Sequence, residues 1–265
     1  MLIDDLAGKT TAKPVIHWPG GKTRMLKLLL PMIPPHNLYC EPFAGGLAML
    51  MRKARSPIEV VNDINGDLVA LYRCIQYHLP ELTREISHMI SSRQTLYDFL
   101  NNPGLTDIQR AARFYYRHRC SFAGKGKTFA VAKTRASHGF EQQINRDLLG
   151  AARTRLDGVI VEHATYDHCF RLYDSPETFW FLDPPYLHAR PDAYDGWTES
   201  ELETFRARVA KLKGLWIVTL DDSPFNRKLW SGCQVEAVTT RNGCCNTANG
   251  IQRFGELIIR PPQAA

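Results

Sequence analysis

Asn37-Leu38-Tyr39-Cys40-Glu41, Pro42-Phe43-Ala44-Gly45-Gly46, Ile58-Glu59-Val60-Val61 and Asn62-Asp63-Ile64-Asn65-Gly66 follow one another along the chain, and their reading decides the fold. The first reads as a short strand and the second as a turn opening a helix through Leu47, Ala48, Leu50 and Met51. The third is a second strand, stopped by the polar fourth. Leu68, Leu71, Tyr72 and Ile75 then recur on one helical face. Strand, glycine turn, helix, strand, acid predicts a βαβ unit with parallel strands. In such a unit Gly45 and Gly46 let the backbone approach a ligand at a helix N-terminus. Asp63, one strand later, is placed to hold a ribose diol. The same residues also suit a plain tight turn and a helix cap.

Upstream, Trp18-Pro19-Gly20-Gly21-Lys22-Thr23 leads into a helical stretch with Met25, Leu26, Leu29 and Leu30, ended by prolines at 31, 34 and 35. Gly20-Gly21-Lys22-Thr23 does not make a phosphate-binding P-loop, because Ile16 stands where that motif needs its first glycine and no strand precedes it. Downstream, Val159-Ile160-Val161, Phe179-Trp180-Phe181-Leu182 and Leu215-Trp216-Ile217-Val218 read as strands, the second of them fully buried, with a helix over 199–212. Val235–238 and Leu257-Ile258-Ile259 read as a closing antiparallel pair.

Phe179-Trp180-Phe181-Leu182 ends in Asp183-Pro184-Pro185-Tyr186. At the carboxyl end of a strand in an open α/β sheet such a turn faces the crevice where ligands bind. The two prolines fix φ and leave carbonyl oxygens as acceptors. Asp183 and the Pro184 carbonyl can accept from an NH2 group while Tyr186 stacks on its ring, which suits the exocyclic amine of a nucleobase. A proline-rich strand-end turn with a capping Asp has the same four residues.

The chain of 265 residues is long enough for one α/β domain with an insertion, and its 44% hydrophobic and 23% charged residues are ordinary for a soluble globular protein. The start Met1-Leu2-Ile3-Asp4-Asp5 is acidic, unlike a signal peptide, and no apolar run approaches membrane-spanning length. The expectation is a monomeric protein of the cytoplasm with no membrane partner. Seven cysteines, without a paired C-x-x-C framework and with Cys244-Cys245 adjacent, predict reduced thiols and no metal.

Net charge is +6, but residues 108–140 carry eight cations (Arg110, Arg113, Arg117, Arg119, Lys125, Lys127, Lys133, Arg135) and no Asp or Glu, which leaves −2 for the rest. One segment is basic, as nucleic-acid binding requires; a solvated loop or a contact for an acidic protein would look alike. Within it, Arg110, Arg113 and Arg117 share one face of a helix over 106–120. Gly124-Lys125-Gly126-Lys127 reads as a basic tip between the extended runs Ser121-Phe122 and Phe129-Ala130-Val131. Between 80 and 150 helices succeed one another without a buried strand, so 80–150 reads as an inserted, mostly helical subdomain with a β-hairpin in an α/β domain of 1–79 and 151–265.

In this order, Trp18…Lys22, Glu41…Gly46, Asn62…Asn65 and Asp183…Tyr186 closely resemble the Dam-like DNA adenine-N6 methyltransferases. Arg119-Cys120-Ser121-Phe122 and the C-terminal Arg241…Asn246…Arg253…Glu256-Leu257 match as well, so the likeness covers nearly the whole chain. It implies a Rossmann-like methyltransferase fold that transfers a methyl group from S-adenosylmethionine to N6 of an adenine flipped out of double-stranded DNA. It further implies that Trp18, Gly21, Lys22, Phe43, Gly45, Gly46, Asp63, Asp167 and Asp183 serve the cofactor. Asp183, Pro184, Pro185 and Tyr186 would be the catalytic turn, and 80–150, with the eight cations, the DNA target-recognition subdomain. Many relatives have Phe-x-Gly-x-Gly where this chain has Leu47 last, and Gly46 is expected to supply the freedom instead. The recognition segment has Ala123-Gly124 and Ala132 where many relatives show Asn-Gly and Pro, which leaves the target sequence open, a GATC-type site being a family guess. Cytosine-N4 or RNA adenine methylation, and a catalytically silent nucleic-acid-binding relative, are the alternatives.

Overall fold

The computed structural model describes residues 12–130, 140–187, 196–247 and 250–262. Seven strands, β1 (Leu38–Glu41), β2 (Ile58–Asn62), β3 (Ile160–Glu162), β4 (Thr178–Leu182), β5 (Leu215–Asp221), β6 (Gln234–Thr247) and β7 (Gly250–Arg260), form a mixed sheet in the order β3-β2-β1-β4-β5-β7-β6. The helices are α1 (Leu26–Leu29), α2 (Ala48–Arg52), α3 (Gly66–Tyr77), α4 (Leu79–Ser87), α5 (Arg93–Asn101), α6 (Asp107–Cys120), α7 (Gln142–Leu156), α8 (Tyr166–Tyr173), α9 (Glu199–Val209) and α10 (Pro224–Leu229). This is the expected Rossmann-like α/β class, a mostly parallel sheet closed by antiparallel C-terminal strands. By contacts the chain forms two compact units, one of 1–26, 44–55 and 61–163 and one of 27–43, 56–60 and 164–265.

In the second unit β1, β4 and β5 run parallel, with Cys40 opposite Trp180 and Leu182 opposite Val218. All five residues of β4 are buried, as a central parallel strand demands, which is why residues 179–182 are an unbroken apolar run. Its core gathers Cys40, Phe170, Trp180, Leu182, Phe205, Trp216 and Trp230. β7 pairs antiparallel with β5, placing Glu256 opposite Asp221 and Ile258 opposite Thr219. The β6–β7 pair is far longer than the short apolar runs at 235–238 and 257–259 predict. Pairing, rather than local hydrophobic alternation, carries it onward, and its register shifts between Arg241 and Asn246.

In the first unit α3 and α6 pack against one another. The Asn65 side chain caps α3 by accepting from the Asp67 and Leu68 amides, and Thr106 caps α6 through the Gln109 amide. α6 buries Ala111, Ala112, Phe114, Tyr115, Tyr116 and His118. Buried tyrosine hydroxyls find partners: Tyr115 donates to Asn145 Oδ1 and Tyr116 to the Ile90 carbonyl. Beyond α6 the chain turns back on itself, with Ser121 bridged to Phe129 and amide-to-carbonyl bonds from Phe122 to Thr128 and from Ala130 to Cys120. The expected hairpin is thus a minimal one.

Candidate active site

The glycine turn of the first unit is built around Trp18. The Gly21 amide donates to the Trp18 carbonyl, and the buried Lys22 ammonium donates to the Gly20 carbonyl. Lys22 opens a single 3-10 turn, Lys22–Arg24, which packs on α2. Gly45 has φ +44°, and a Cβ there would stand 2.8 Å from the Trp18 indole; one on Gly46 would stand 3.2 Å from the Trp18 Cβ. The indole lies on the Gly45-Gly46 turn, so Trp18, Gly21, Lys22, Gly45 and Gly46 are brought together. The left-handed conformation expected of Gly46 falls instead on Leu47, at φ 54° and ψ 36°. Leu47 is fully buried, and its packing offsets a backbone strain of about 1–2 kcal/mol that glycine would not carry.

Asp63 ties this turn to β2. Its Oδ2 accepts from the Gly45 amide at 3.0 Å and its Oδ1 from the Asn65 amide at 2.9 Å, while the Tyr72 hydroxyl donates to the Gly45 carbonyl. Both backbone groups of Gly45 are therefore held. Burial pushes the Asp63 carboxyl above its usual range, opposed by the amides of Gly45, Asn65 and Ile64. The helix-cap role belongs to Asn65 and not to Asp63.

In the second unit Phe43 sits in an aromatic cluster, its ring 5.6 Å from those of Tyr166 and Trp197 and 5.8 Å from that of Phe205. Trp197, which the sequence did not single out, meets Phe43 edge-on and Tyr166 at a tilt. Asp167 lies in the first turn of α8, 3.7 Å from the Arg208 guanidinium. At the end of β4, Asp183 Oδ1 accepts from the Thr219 hydroxyl at 2.7 Å. Pro184 is buried and Pro185 partly so. The Tyr186 hydroxyl donates to Glu256 Oε2 at 3.1 Å. Thr219 carried no sequence signal, whereas Glu256 stood in the C-terminal motif without a role.

The helix-face arginines have partners inside the first unit. Arg110 donates through Nε and Nη2 to Asp67 Oδ1, at 3.0 and 2.6 Å, and reaches Asp107 at 3.4 Å. Arg113 donates to the Asn102 carbonyl and lies over the Phe99 ring. Arg117 donates to the Gly126 carbonyl, and burial lowers its pKa. Arg119 and Lys125 are half-buried and Lys127 is exposed; Lys133 and Arg135 lie outside the described residues. Phe122 stands exposed beside these cations. Among the described residues no group of His, Cys, Asp and Glu could hold a metal ion, and five cysteines are free thiols.

His118 joins these parts. Its ring stacks on Trp18 at 5.3 Å and lies tilted against Phe114 at 4.4 Å, and its Nδ1 lies 2.6 Å from the Gly124 carbonyl. Burial pushes its pKa down to about 4. The unfolded chain takes up that proton near pH 6.5, so the stability contributed by the neutral ring is complete above 6.5 and lost as pH falls towards 4. The share is about 3 kcal/mol. Thermal melts of His118→Phe, which keeps the ring but cannot titrate, are expected to lose much less stability than wild type between pH 6.5 and 4; parallel curves would contradict this.

The first unit thus carries a glycine turn tied to an acid after the second strand, and the second unit a strand-end Asp-Pro-Pro-Tyr turn. The model of the D12 class N6 adenine-specific DNA methyltransferases matches residues 18–241, and the chain belongs to that family. It is 29% identical over 231 residues to Type II methyltransferase M.CviBI of Paramecium bursaria Chlorella virus NC1A, covering 83% of this chain and 87% of that one. To Type II methyltransferase M1.LlaDCHI of Lactococcus lactis subsp. cremoris it is 21% identical over 275 residues, covering 95% and 96%. It is similar over a shorter stretch to the Retron Ec67 DNA adenine methylase of Escherichia coli, 29% identical over 117 residues and covering 42% and 41%. The chain is an adenine-specific DNA methyltransferase.

Proposed function

We propose that Asp183-Pro184-Pro185-Tyr186 carries out the transfer, that the methyl donor is S-adenosylmethionine, and that the target is an adenine flipped out of duplex DNA. The observation that carries this reading is the Asp183 carboxylate, held by Thr219 at the carboxyl end of β4 with Tyr186 three residues on. The adenine amine is a poor nucleophile because its lone pair is delocalised into the ring. Asp183 accepts one amine hydrogen and the Pro184 carbonyl the other, which favours a pyramidal nitrogen with its lone pair directed outward. Tyr186 offers a ring face to the base, whose removal from the stack costs a few kcal/mol. When bound, S-adenosylmethionine would supply a sulfonium methyl as the electrophile for that lone pair, the methyl–sulfur electron pair leaving with sulfur. The proton lost by nitrogen passes to the Asp183 carboxylate. No covalent enzyme intermediate is needed; the residues contribute positioning and electrostatics.

For the donor, Asp63 would accept from the ribose hydroxyls. Trp18, Gly21, Lys22, Phe43, Gly45, Gly46 and Asp167 complete the cofactor set, and residues 80–150 form the DNA-recognition insertion. The decisive experiment incubates the protein with labelled S-adenosylmethionine and unmethylated duplex, then identifies the modified base by mass spectrometry. Label in N6-methyladenine supports the reading, and label in N4-methylcytosine overturns it.

Within the insertion the anchored arginines separate from the others. Arg110→Ala is expected to act on stability through the lost Asp67 pair, lowering the melting temperature with little change in the salt dependence of DNA binding. Lys127→Ala is expected to leave melting unchanged and reduce that salt slope by about one. Melting curves and binding across a salt series check both; a reduced slope for Arg110→Ala alone would return that residue to phosphate contact.

A further inference from the structure

We infer that the C-terminal antiparallel strands act on the catalytic turn through two positioning residues, Thr219 of β5 and Glu256 of β7. The inference rests on the reading of Asp183-Pro184-Pro185-Tyr186 as the catalytic turn.

The sheet register brings these residues together. Leu182 lies opposite Val218 in the parallel β4–β5 pair, so the next residues along, Asp183 and Thr219, stand side by side. In the antiparallel β5–β7 pair Ile258 lies opposite Thr219 and Glu256 opposite Asp221. Alternation then puts Thr219 and Glu256 on one face of the sheet, diagonal to each other. One reaches Asp183 and the other Tyr186, at 2.7 and 3.1 Å.

The chemistry of the two contacts differs. A carboxylate can rotate about its terminal torsion, where no sharp rotamer holds it. Thr219, which is fully buried, donates to one of its oxygens and so fixes the plane of the group. An oxygen facing an adenine amine has a direction only if that plane is fixed. A valine has nearly the same shape as threonine and no hydroxyl, and a serine keeps the hydroxyl without the methyl. Glu256 accepts from the Tyr186 hydroxyl and sets the tilt of the ring that the base is to stack on. A glutamine there still offers an acceptor oxygen, and an alanine does not.

The test measures kcat, KM for duplex DNA, cofactor affinity and melting temperature for Thr219→Val, Thr219→Ser, Glu256→Ala, Glu256→Gln, Tyr186→Phe, the double variant Tyr186→Phe/Glu256→Ala, and Asp183→Asn. Thr219→Val is expected to lower kcat roughly ten- to a hundredfold, the loss of a hydrogen bond to a charged group, with cofactor affinity unchanged. Thr219→Ser is expected to recover most of it. Glu256→Ala and Tyr186→Phe are each expected to lower kcat by several-fold, with Glu256→Gln near wild type and the double variant no worse than either single one. Wild-type kcat in Thr219→Val, or additive losses in the double variant, overturns the inference. Asp183→Asn separates the two levels: if it keeps wild-type kcat, the reading of the turn itself fails; if it is inactive while Thr219→Val is unaffected, only the positioning role does.

Discussion

Asp183→Ala is expected to abolish methyl transfer, by about a thousandfold or more, while the protein still folds. Asp183 is the only carboxylate on the turn after β4, and the mechanism asks it to accept from the amine and to take its proton. Alanine removes both capacities but keeps the turn, whose φ angles are set by Pro184 and Pro185. The cost to stability is local: the buried Thr219 hydroxyl loses an acceptor, worth about 1–3 kcal/mol. Asp183→Ala/Thr219→Val removes that orphaned donor and is expected to melt above the single variant while staying inactive. Label transfer and thermal melts on the same preparations check both statements. Turnover near wild type in a folded Asp183→Ala protein is the result that would sink the mechanism.

Asp63→Ala is expected to weaken S-adenosylmethionine binding about a hundredfold, as the loss of hydrogen bonds from two ribose hydroxyls to a charged acceptor implies, and to leave DNA affinity without cofactor almost unchanged. Asp63 also holds the amides of Gly45 and Asn65, so its removal loosens the glycine turn itself. The stability change is smaller than those two lost bonds suggest. Its carboxyl is raised by burial, so the folded protein binds that proton more readily than the unfolded chain. The stabilising share is present below the unfolded carboxyl value and lost as pH rises through the raised one, leaving a buried charge whose cost alanine removes. Calorimetric titration with the cofactor, paired with melts at acid and neutral pH, tests this. Unchanged cofactor affinity would leave Asp63 as a brace for Gly45 only.

The elements legible in the sequence were those encoded locally. The apolar run of β4, the glycine turn between Glu41 and Ala48, and the polar stop after β2 each follow from the residues that form them. Trp18 could be placed with the glycine turn through motif order, and the structure lays its indole on Gly45. What stayed hidden depends on partners remote in the chain. Nothing near Thr219 announces Asp183, because their contact follows from the β4–β5 register. The arginines of α6 read as one basic helix face, and nothing near them announces that Asp67 of α3, the Asn102 carbonyl and the Gly126 carbonyl accept from them. Leu47 looked like the wrong residue for a left-handed turn and occupies one, since a buried side chain can outweigh backbone strain.

The turn after α6 has a consequence for whatever it meets. Its backbone is secured from several directions: Gly124 by His118, Gly126 by both Arg117 and the Ser121 hydroxyl, and Phe122 and Ala130 across the turn. Ala123 and Gly124 both have positive φ, and a Cβ on Gly124 would lie 2.3 Å from the His17 carbonyl. A partner docking there gives up little for loop ordering, because the conformational entropy was lost when the protein folded. Differences in affinity among partners then reside in dissociation rates, set by the side chains that reach out from a fixed frame. Gly124→Ala, by releasing that frame, is expected to make the same surface bind with a larger entropic penalty.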